Sequence, residues 1–117
     1  MVIKTYSEAQ TYLESLISNV QNKRNTNMRL ERIEHLLQLI GNPHHTYKTI
    51  HVGGTSGKGS TAYLISHILT TAGYKTGLHI SPHLEKINER MQINNSSINN
   101  VEFILLTQWI QPYVKEV

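Results

Sequence analysis

The sequence predicts an α/β fold in which two helices precede a βαβ unit of a parallel sheet. Three observations support this prediction. Apolar residues recur at helical intervals before Gly41, an apolar run at 47–52 ends in glycines, and a further helical pattern leads to a second strand-like run at 75–80. A helix between two parallel strands makes a right-handed crossover, so we expect both strands in one sheet.

The first two helices are predicted from their apolar stripes and their ends. Ser7 and Gln10 have the spacing of a capping box, and the helix that they start should cover about 7–20. The polar segment 21–27 then predicts a loop. A second apolar stripe covers 30–40 and ends at a glycine and a proline, as helices commonly do.

A glycine turn follows the first predicted strand, where the chain from Ile50 to Thr61 reads IHVGGTSGKGST. Consecutive glycines allow several N–H groups to point at an anion where the next helix begins, over about 58–72. Lys58 would add a positive charge beside phosphates, and Ser60 or Thr61 a hydroxyl for a magnesium ion. The turn therefore resembles a phosphate-binding loop of the P-loop type.

This turn departs from a regular Walker A sequence at two positions. Val52 occupies the place of the first glycine, and Gly59 separates Lys58 from the next hydroxyl residue. The residues alone leave two alternatives, a phosphate loop and an ordinary glycine-rich turn. In open α/β sheets ligands bind beyond the carboxyl ends of the strands, where both this turn and Ser81-Pro82-His83 fall, and this favours the phosphate loop.

The last third of the chain predicts a hairpin and a helix. Residues 91–98 alternate and turn like a small hairpin. Asn99 and Glu102 have the spacing of a helix cap, and a final helix interrupted at Pro112 should follow. A sheet of this class needs more than two strands, so we expect a fragment of a larger domain.

Composition excludes several classes of function. The net charge of +3 comes from 11 basic and 8 acidic residues that are scattered along the chain, which argues against nucleic-acid binding. The absence of cysteine excludes disulfides, thiolate metal sites and thiol catalysis. The start of the chain has no apolar stretch for a signal peptide or a membrane span, so we expect a cytoplasmic protein without a membrane partner.

Several ordered motifs resemble the N-terminal part of folylpolyglutamate synthase and of the bifunctional dihydrofolate synthase, in the Mur ligase superfamily. They cover 30–33, 41–43, 51–61, 72–78, 81–84 and 89–90. The form Gly-Lys-Gly-Ser is the one that this family uses. The resemblance implies that 1–117 is the N-terminal part of an incomplete Mur-ligase-like ATP-binding domain, with a helical lead-in over 1–46 and the P-loop βαβ unit, hairpin and helix over 47–117.

The resemblance also implies an activity. Family enzymes add L-glutamate to folate with ATP and Mg²⁺, through an acyl phosphate, or add it to dihydropteroate as dihydrofolate synthases. We expect a monomer at full length, and an inactive fragment because the remaining metal ligands and the C-terminal domain of the family lie outside this chain. A phosphate-binding module without chemistry is the alternative from another class.

Roles for individual residues follow from the same resemblance. Lys58 would be catalytic, and Ser81 and Ser60 would hold the metal. His83 would contact substrate or shape its loop, with a surface role as the alternative. Arg29 stands where the family commonly has glycine. The ATP phosphates would be held by Gly54, Thr55, Ser56, Gly57, Lys58, Gly59, Ser60 and Thr61, and the pterin-bearing substrate by Asn27, Met28, Arg29 and Leu30.

Overall fold

The computed structural model describes residues 2–21, 26–54 and 57–117, with side chains in the first two helices up to Leu16 and from Leu30 onward. The chain divides into two compact units, one that runs to Thr49 and includes Ile104–Val117, and one made of Ile50–Phe103. Within the described ranges the elements are α1 (Tyr6–Gln21), α2 (Thr26–Leu39), a 3₁₀ helix (Pro43–His45), α3 (Lys58–Thr71), β1 (Gly77–Leu78), a second 3₁₀ helix (Ile87–Arg90), β2 (Gln92–Ile93), β3 (Ser96–Ser97) and α4 (Asn100–Lys115).

The start of α1 is capped by Thr5 and Glu8. Glu8 Oε1 accepts a hydrogen bond from the Thr5 N–H at 3.1 Å, and the Glu8 N–H donates to Thr5 Oγ1 at 3.2 Å. This reciprocal pair is a capping box, two residues before the pair that the sequence predicts. The predicted helix over 7–20 is confirmed, and the position of the cap explains its start at Tyr6.

The first unit buries a small core beside α1. Ile3, Ala9 and Tyr12 are buried, and this burial raises the pKa of the Tyr12 hydroxyl. Gln108 of α4 reaches the same edge of the unit, where its Nε2 donates to the Ile3 carbonyl at 2.5 Å. The contact ties α4 to the segment that precedes α1.

The second helix is confirmed, but its predicted inner stripe is only partly buried. Leu36, Leu37 and Ile40 are half-buried, whereas Leu30 is 63% exposed. The helix ends as predicted, because Gly41 follows it with a φ of 91°, in the left-handed region that favours glycine.

The segment 47–52 differs from its prediction, because it is not a strand. Tyr47 and Ile50 are 62% and 61% exposed, and the segment pairs with no strand within the described ranges. A segment becomes a β-strand only when its N–H and C=O groups form hydrogen bonds with a second strand. The sequence pattern of one segment does not show whether such a partner strand is present. The second predicted strand shortens to β1, which pairs with β2 instead of with 47–52.

The sheet of the second unit is an antiparallel meander in the order β1-β2-β3. Leu78 lies opposite Gln92, and Gln92 lies opposite Ser97. The predicted hairpin is confirmed, with Asn94 and Asn95 as its two turn residues at φ 50° and 68°. Positive φ at both central positions matches the right-handed twist of the flanking strands. The mixed α/β class is therefore confirmed, with antiparallel rather than parallel pairing.

The helix α3 contacts β1 through one face. Ser66 is buried on that face, and Ile65 and Leu69 are half-buried beside it. Leu64 and Ile68, one turn apart on another face, are 63% and 65% exposed. The predicted helix is thus confirmed. Of its predicted inner stripe, Ala62, Ile65 and Leu69 are half-buried, whereas Ala72 is exposed at the C-cap.

The core of the second unit lies under the second 3₁₀ helix. Ile87, Ile98 and Phe103 are buried there, together with the side chain of Asn88. Asn88 Nδ2 donates to the Ile98 carbonyl at 2.8 Å and to Asn100 Oδ1 at 3.1 Å. Because a buried amide without partners would be costly, these bonds fix the 3₁₀ helix on its base.

The last helix begins as predicted and runs further than predicted. Asn99 Oδ1 accepts from the Glu102 N–H at 2.8 Å, which confirms the cap. The expected interruption at Pro112 is absent, since α4 continues through it to Lys115. Pro112 lies in the last turn, so its missing N–H removes a bond only near the helix end. In the described part of the chain, no helix is long and apolar enough to cross a membrane.

Candidate functional site

The glycine turn leads directly into the N-terminus of α3. Gly57 is the N-cap residue, with φ 74° and ψ 0°, and Gly54 has a φ of 143°. Both values lie in the region that favours glycine. The Thr61 N–H donates to the Gly57 carbonyl at 3.0 Å as the first helical bond. The N–H groups of residues 58–60 therefore belong to the first turn, where a helix offers them no acceptor of its own.

The space around this turn is open. A Cβ atom added at Gly53, Gly57 or Gly59 would meet no heavy atom within 4 Å. Residues 58–61 are all exposed. The chain's own packing thus does not require glycine at Gly53 or Gly59, and the surface is left free for close approach by another group. Thr55 and Ser56 lie outside the described residues.

These features fit a phosphate group. The first-turn N–H groups and the helix dipole give the N-terminus of α3 a partial positive charge, and the exposed Lys58 adds a full one. In α3, Ser60 and Thr61 follow Lys58 within one turn, as the sequence predicts. We therefore retain residues 54 and 57–61 as the candidate phosphate loop.

A second polar segment follows β1. Ser81 is exposed and precedes Pro82 through a cis peptide bond. His83 is half-buried, and its Nδ1 accepts a hydrogen bond from Arg90 Nε at 2.9 Å. One ring nitrogen of His83 is thus committed within the protein, and the substrate, loop and surface roles of this residue stay predictions.

Sequence reasoning missed the role of Glu89. Its carboxylate accepts hydrogen bonds from three consecutive backbone N–H groups, those of Leu84 at 2.8 Å, Glu85 at 3.0 Å and Lys86 at 2.9 Å. The bond from Lys86, then those from Leu84 and Glu85, hold the pKa of the Glu89 carboxyl below its ordinary value. A glutamate three residues after the start of a helix is the signal that could have found this contact.

The predicted substrate residues lie at the start of α2. Asn27, Met28 and Arg29 form its first turn, but their side chains lie outside the described part of the structure. Leu30 is exposed, which leaves it available to a ligand. These residues belong to the first unit and the phosphate loop to the second, so their grouping into one site stays a prediction.

Metal binding by side chains alone finds no support. Over 2–21, 26–54 and 57–117, no group of three histidine, aspartate or glutamate residues could hold a metal ion. A magnesium ion at Ser60 or Ser81 would thus rely on hydroxyl oxygens, phosphate oxygens and water, a ligand set that Mg²⁺ commonly uses. A separate shallow groove includes Lys86 and Asn100 in its lining but none of residues 57–61.

Comparisons with known proteins assign the family. No protein-family model matches the chain. Dihydrofolate synthase/folylpolyglutamate synthase of Bacillus subtilis is 36% identical over 86 residues, which make up 74% of this chain and 20% of that protein. The crystal structure of folylpolyglutamate synthase from Thermotoga maritima is 40% identical, with a TM-score of 0.75 over 92% of this chain and 25% of that one. An FPGS complex with AMPPCP and folate is 30% identical, with a TM-score of 0.85 over 97% of this chain and 26% of that one.

The matches also define the extent of the relationship. The chain spans about a fifth to a quarter of the length of these relatives. The likeness to the solved structures confirms that the fold is part of a Mur-ligase-like fold. By sequence and by structure, the chain belongs to the folylpolyglutamate synthase/dihydrofolate synthase family and matches a part of its members.

Proposed function

We propose that the protein acts as an ATP-dependent ligase that adds L-glutamate to folate, with the N-terminus of α3 as the site for the ATP phosphates. The observation that carries the proposal is the open turn before α3, where Gly57 is left-handed and Lys58 is exposed, in a chain related to folylpolyglutamate synthases. A relative of the same fold forms a complex with AMPPCP, an ATP analogue, and folate.

The role of the loop is to bind and neutralise charge. Backbone N–H groups of residues 58–60 would donate to phosphate oxygens, and the Lys58 ammonium would offset the negative charge that grows during phosphoryl transfer. An open turn without Cβ atoms at Gly57 and Gly59 lets the phosphates approach the backbone closely. ATP supplies the activating phosphoryl group, and the protein supplies position and electrostatics.

Ser60 and Ser81 are proposed as magnesium ligands. Each offers one hydroxyl oxygen, and both side chains are exposed. Mg²⁺ prefers oxygen ligands and keeps several waters, so two hydroxyls and the phosphates form a suitable set. A bound magnesium ion would neutralise phosphate charge.

Substrate binding is assigned to Asn27, Met28, Arg29, Leu30 and His83. Because Nδ1 of His83 accepts from Arg90, its other ring nitrogen is left to donate to a substrate oxygen. Dihydropteroate remains the alternative acceptor of glutamate, since the Bacillus subtilis relative is named for both activities.

The test is a ligase assay of the protein at its full natural length. We expect ATP-dependent and magnesium-dependent release of ADP when L-glutamate and tetrahydrofolate are both present. Dihydropteroate in place of folate distinguishes dihydrofolate synthase activity. Binding of AMPPCP without turnover of either acceptor would favour a non-catalytic phosphate-binding module, and the absence of both binding and turnover would refute the phosphate loop as well.

A further inference from the structure

The segment 81–86, which carries Ser81 and His83, is held by the side chain of Glu89. We infer that Glu89 is a positioning residue, which sets the place of Ser81 and His83 through the backbone of this segment. The inference deepens the proposed function and rests on it for the roles of these two residues. It depends on contacts that the assignment of the phosphate loop does not use.

The carboxylate of Glu89 accepts hydrogen bonds from three backbone N–H groups of a segment that has no regular secondary structure. Residues 81–86 are neither helix nor strand, so no ladder of backbone bonds orders them. Glu89 Oε1 accepts from Leu84, and Oε2 accepts from Glu85 and Lys86, all within 3.0 Å. Hydrogen bonds to an ionised acceptor are stronger than neutral ones. Three consecutive backbone N–H groups of the segment are therefore held by one side chain.

The residue after Glu89 contacts both sides of Ser81. Arg90 Nε donates to His83 Nδ1 at 2.9 Å, and the Arg90 carbonyl lies 2.9 Å from His79 Nδ1. His79 precedes Ser81 by two residues and His83 follows it by two. Ser81 is thus bracketed by contacts to a single residue of the second 3₁₀ helix.

The 3₁₀ helix itself has a rigid base. Its residues Ile87 and Asn88 are buried, and Asn88 bonds the Ile98 carbonyl and Asn100. Glu89 therefore connects the exposed segment 81–86 to a 3₁₀ helix that is packed into the core. A hydroxyl that must meet a metal or phosphate within a fraction of an ångström needs this kind of support.

A purely structural alternative is that Glu89 only caps the 3₁₀ helix, through the Lys86 N–H. Amide hydrogen exchange by NMR on this chain separates the two readings. In Glu89→Gln we expect the amides of Leu84, Glu85 and Lys86 to exchange about tenfold faster. The reference amides of Asn94 and Ile98, which donate to the carbonyls of Thr76 and Met91, should keep their rates. Unchanged exchange at residues 84–86 would overturn the inference.

The second measurement uses the full-length protein. Glu89→Gln should raise the magnesium concentration for half-maximal ligation several-fold while the protein stays folded at the assay temperature, and Glu89→Asp should restore part of the affinity for magnesium. Glu85→Gln removes the same charge four residues away and should have no effect. Faster exchange with an unchanged magnesium titration would overturn the positioning role. If the unmodified protein shows no ligation while amide exchange in Glu89→Gln changes as expected, the proposed function is wrong. The conclusion that Glu89 orders the backbone of residues 84–86 would still hold.

Discussion

Nε of Arg90 donates a hydrogen bond to Nδ1 of His83 over 2.9 Å. Because a guanidinium group keeps its protons, Nδ1 must be the acceptor, and the neutral imidazole carries its proton on Nε2. His83 is therefore prepared to donate a hydrogen bond to a ligand rather than to accept a proton from it. This orientation yields a prediction that distinguishes the two ring nitrogens.

Two amide substitutions at His83 should have different effects. In Asn the side-chain oxygen can take the place of Nδ1 and keep the bond to Arg90, whereas in Gln the amide group can take the place of Nε2. If Nε2 contacts the pterin-bearing substrate, His83→Asn should raise its KM about three- to tenfold, the effect of one neutral hydrogen bond. His83→Gln should raise it less. Steady-state kinetics of the full-length protein measure this, and the reverse order would contradict a substrate contact through Nε2.

Lys58→Ala should abolish ligation and leave stability nearly unchanged. The lysine is exposed at the start of α3, so its loss should change the free energy of unfolding by no more than about 0.5 kcal/mol. Its charge beside the phosphates cannot be replaced by alanine. ADP release and urea denaturation are the two measurements. Lys75→Ala, at another exposed lysine, is the matched control, and normal turnover of the Lys58 variant would remove this residue from the site.

Ser81→Ala should raise the magnesium requirement of the ligase. The change removes one exposed hydroxyl oxygen and no buried contact, so the fold should persist. Titration of activity with MgCl₂ at saturating ATP measures the shift, with Ser96→Ala in the hairpin as the control. An identical titration curve for the Ser81 variant and the unmodified protein would show that Ser81 is no metal ligand.

Two glycines of the loop should respond in opposite directions to alanine. Gly57→Ala places a Cβ at φ 74° and should destabilise the chain by about 1–2 kcal/mol. Gly59 lies within α3, where alanine has the better helix propensity and its Cβ meets nothing within 4 Å, so Gly59→Ala should be neutral or stabilise by up to about 1 kcal/mol. Urea denaturation compares them.

The same pair tests the phosphate loop. The added methyl group of Gly59→Ala occupies space that a phosphate would use, so AMPPCP binding by the full-length protein should weaken although the fold is at least as stable. Unchanged binding in Gly59→Ala would mean that phosphates do not approach the backbone at this position.

The contribution of Glu89 to stability should depend on acidity. Backbone hydrogen bonds lower the folded-state pKa of its carboxyl below the ordinary value of 4.5. The stabilisation that ionised Glu89 gives the fold is therefore fully present when the pH is above that ordinary pKa, and it is lost as the pH falls through the lower folded-state pKa. The difference in unfolding free energy between the unmodified chain and Glu89→Gln should be constant from pH 7 to about pH 5 and shrink in more acidic solution. A difference that grows on acidification would contradict this sign.

Local sequence patterns determined the helices, the hairpin and the position of the candidate loop. The stripes of α1 and α3, the cap at Asn99 and the turn at Asn94-Asn95 depend on contacts between residues close in the chain, which a sequence displays directly. The left-handed conformation of Gly57 is also predictable from the local sequence, because a glycine directly before a helix commonly adopts a positive φ.

Only the tertiary structure decided what the segments pair with and what the polar side chains hold. The run at 47–52 has the composition of a strand, but hydrogen bonds to a neighbour make a strand, and β1 pairs with the hairpin. Nor does sequence reveal that Glu89 reaches back to the amides of 84–86 or that Arg90 commits one nitrogen of His83. These contacts depend on how the chain turns between residues 81 and 90, a stretch in which Ile87 and Asn88 are buried in the folded protein.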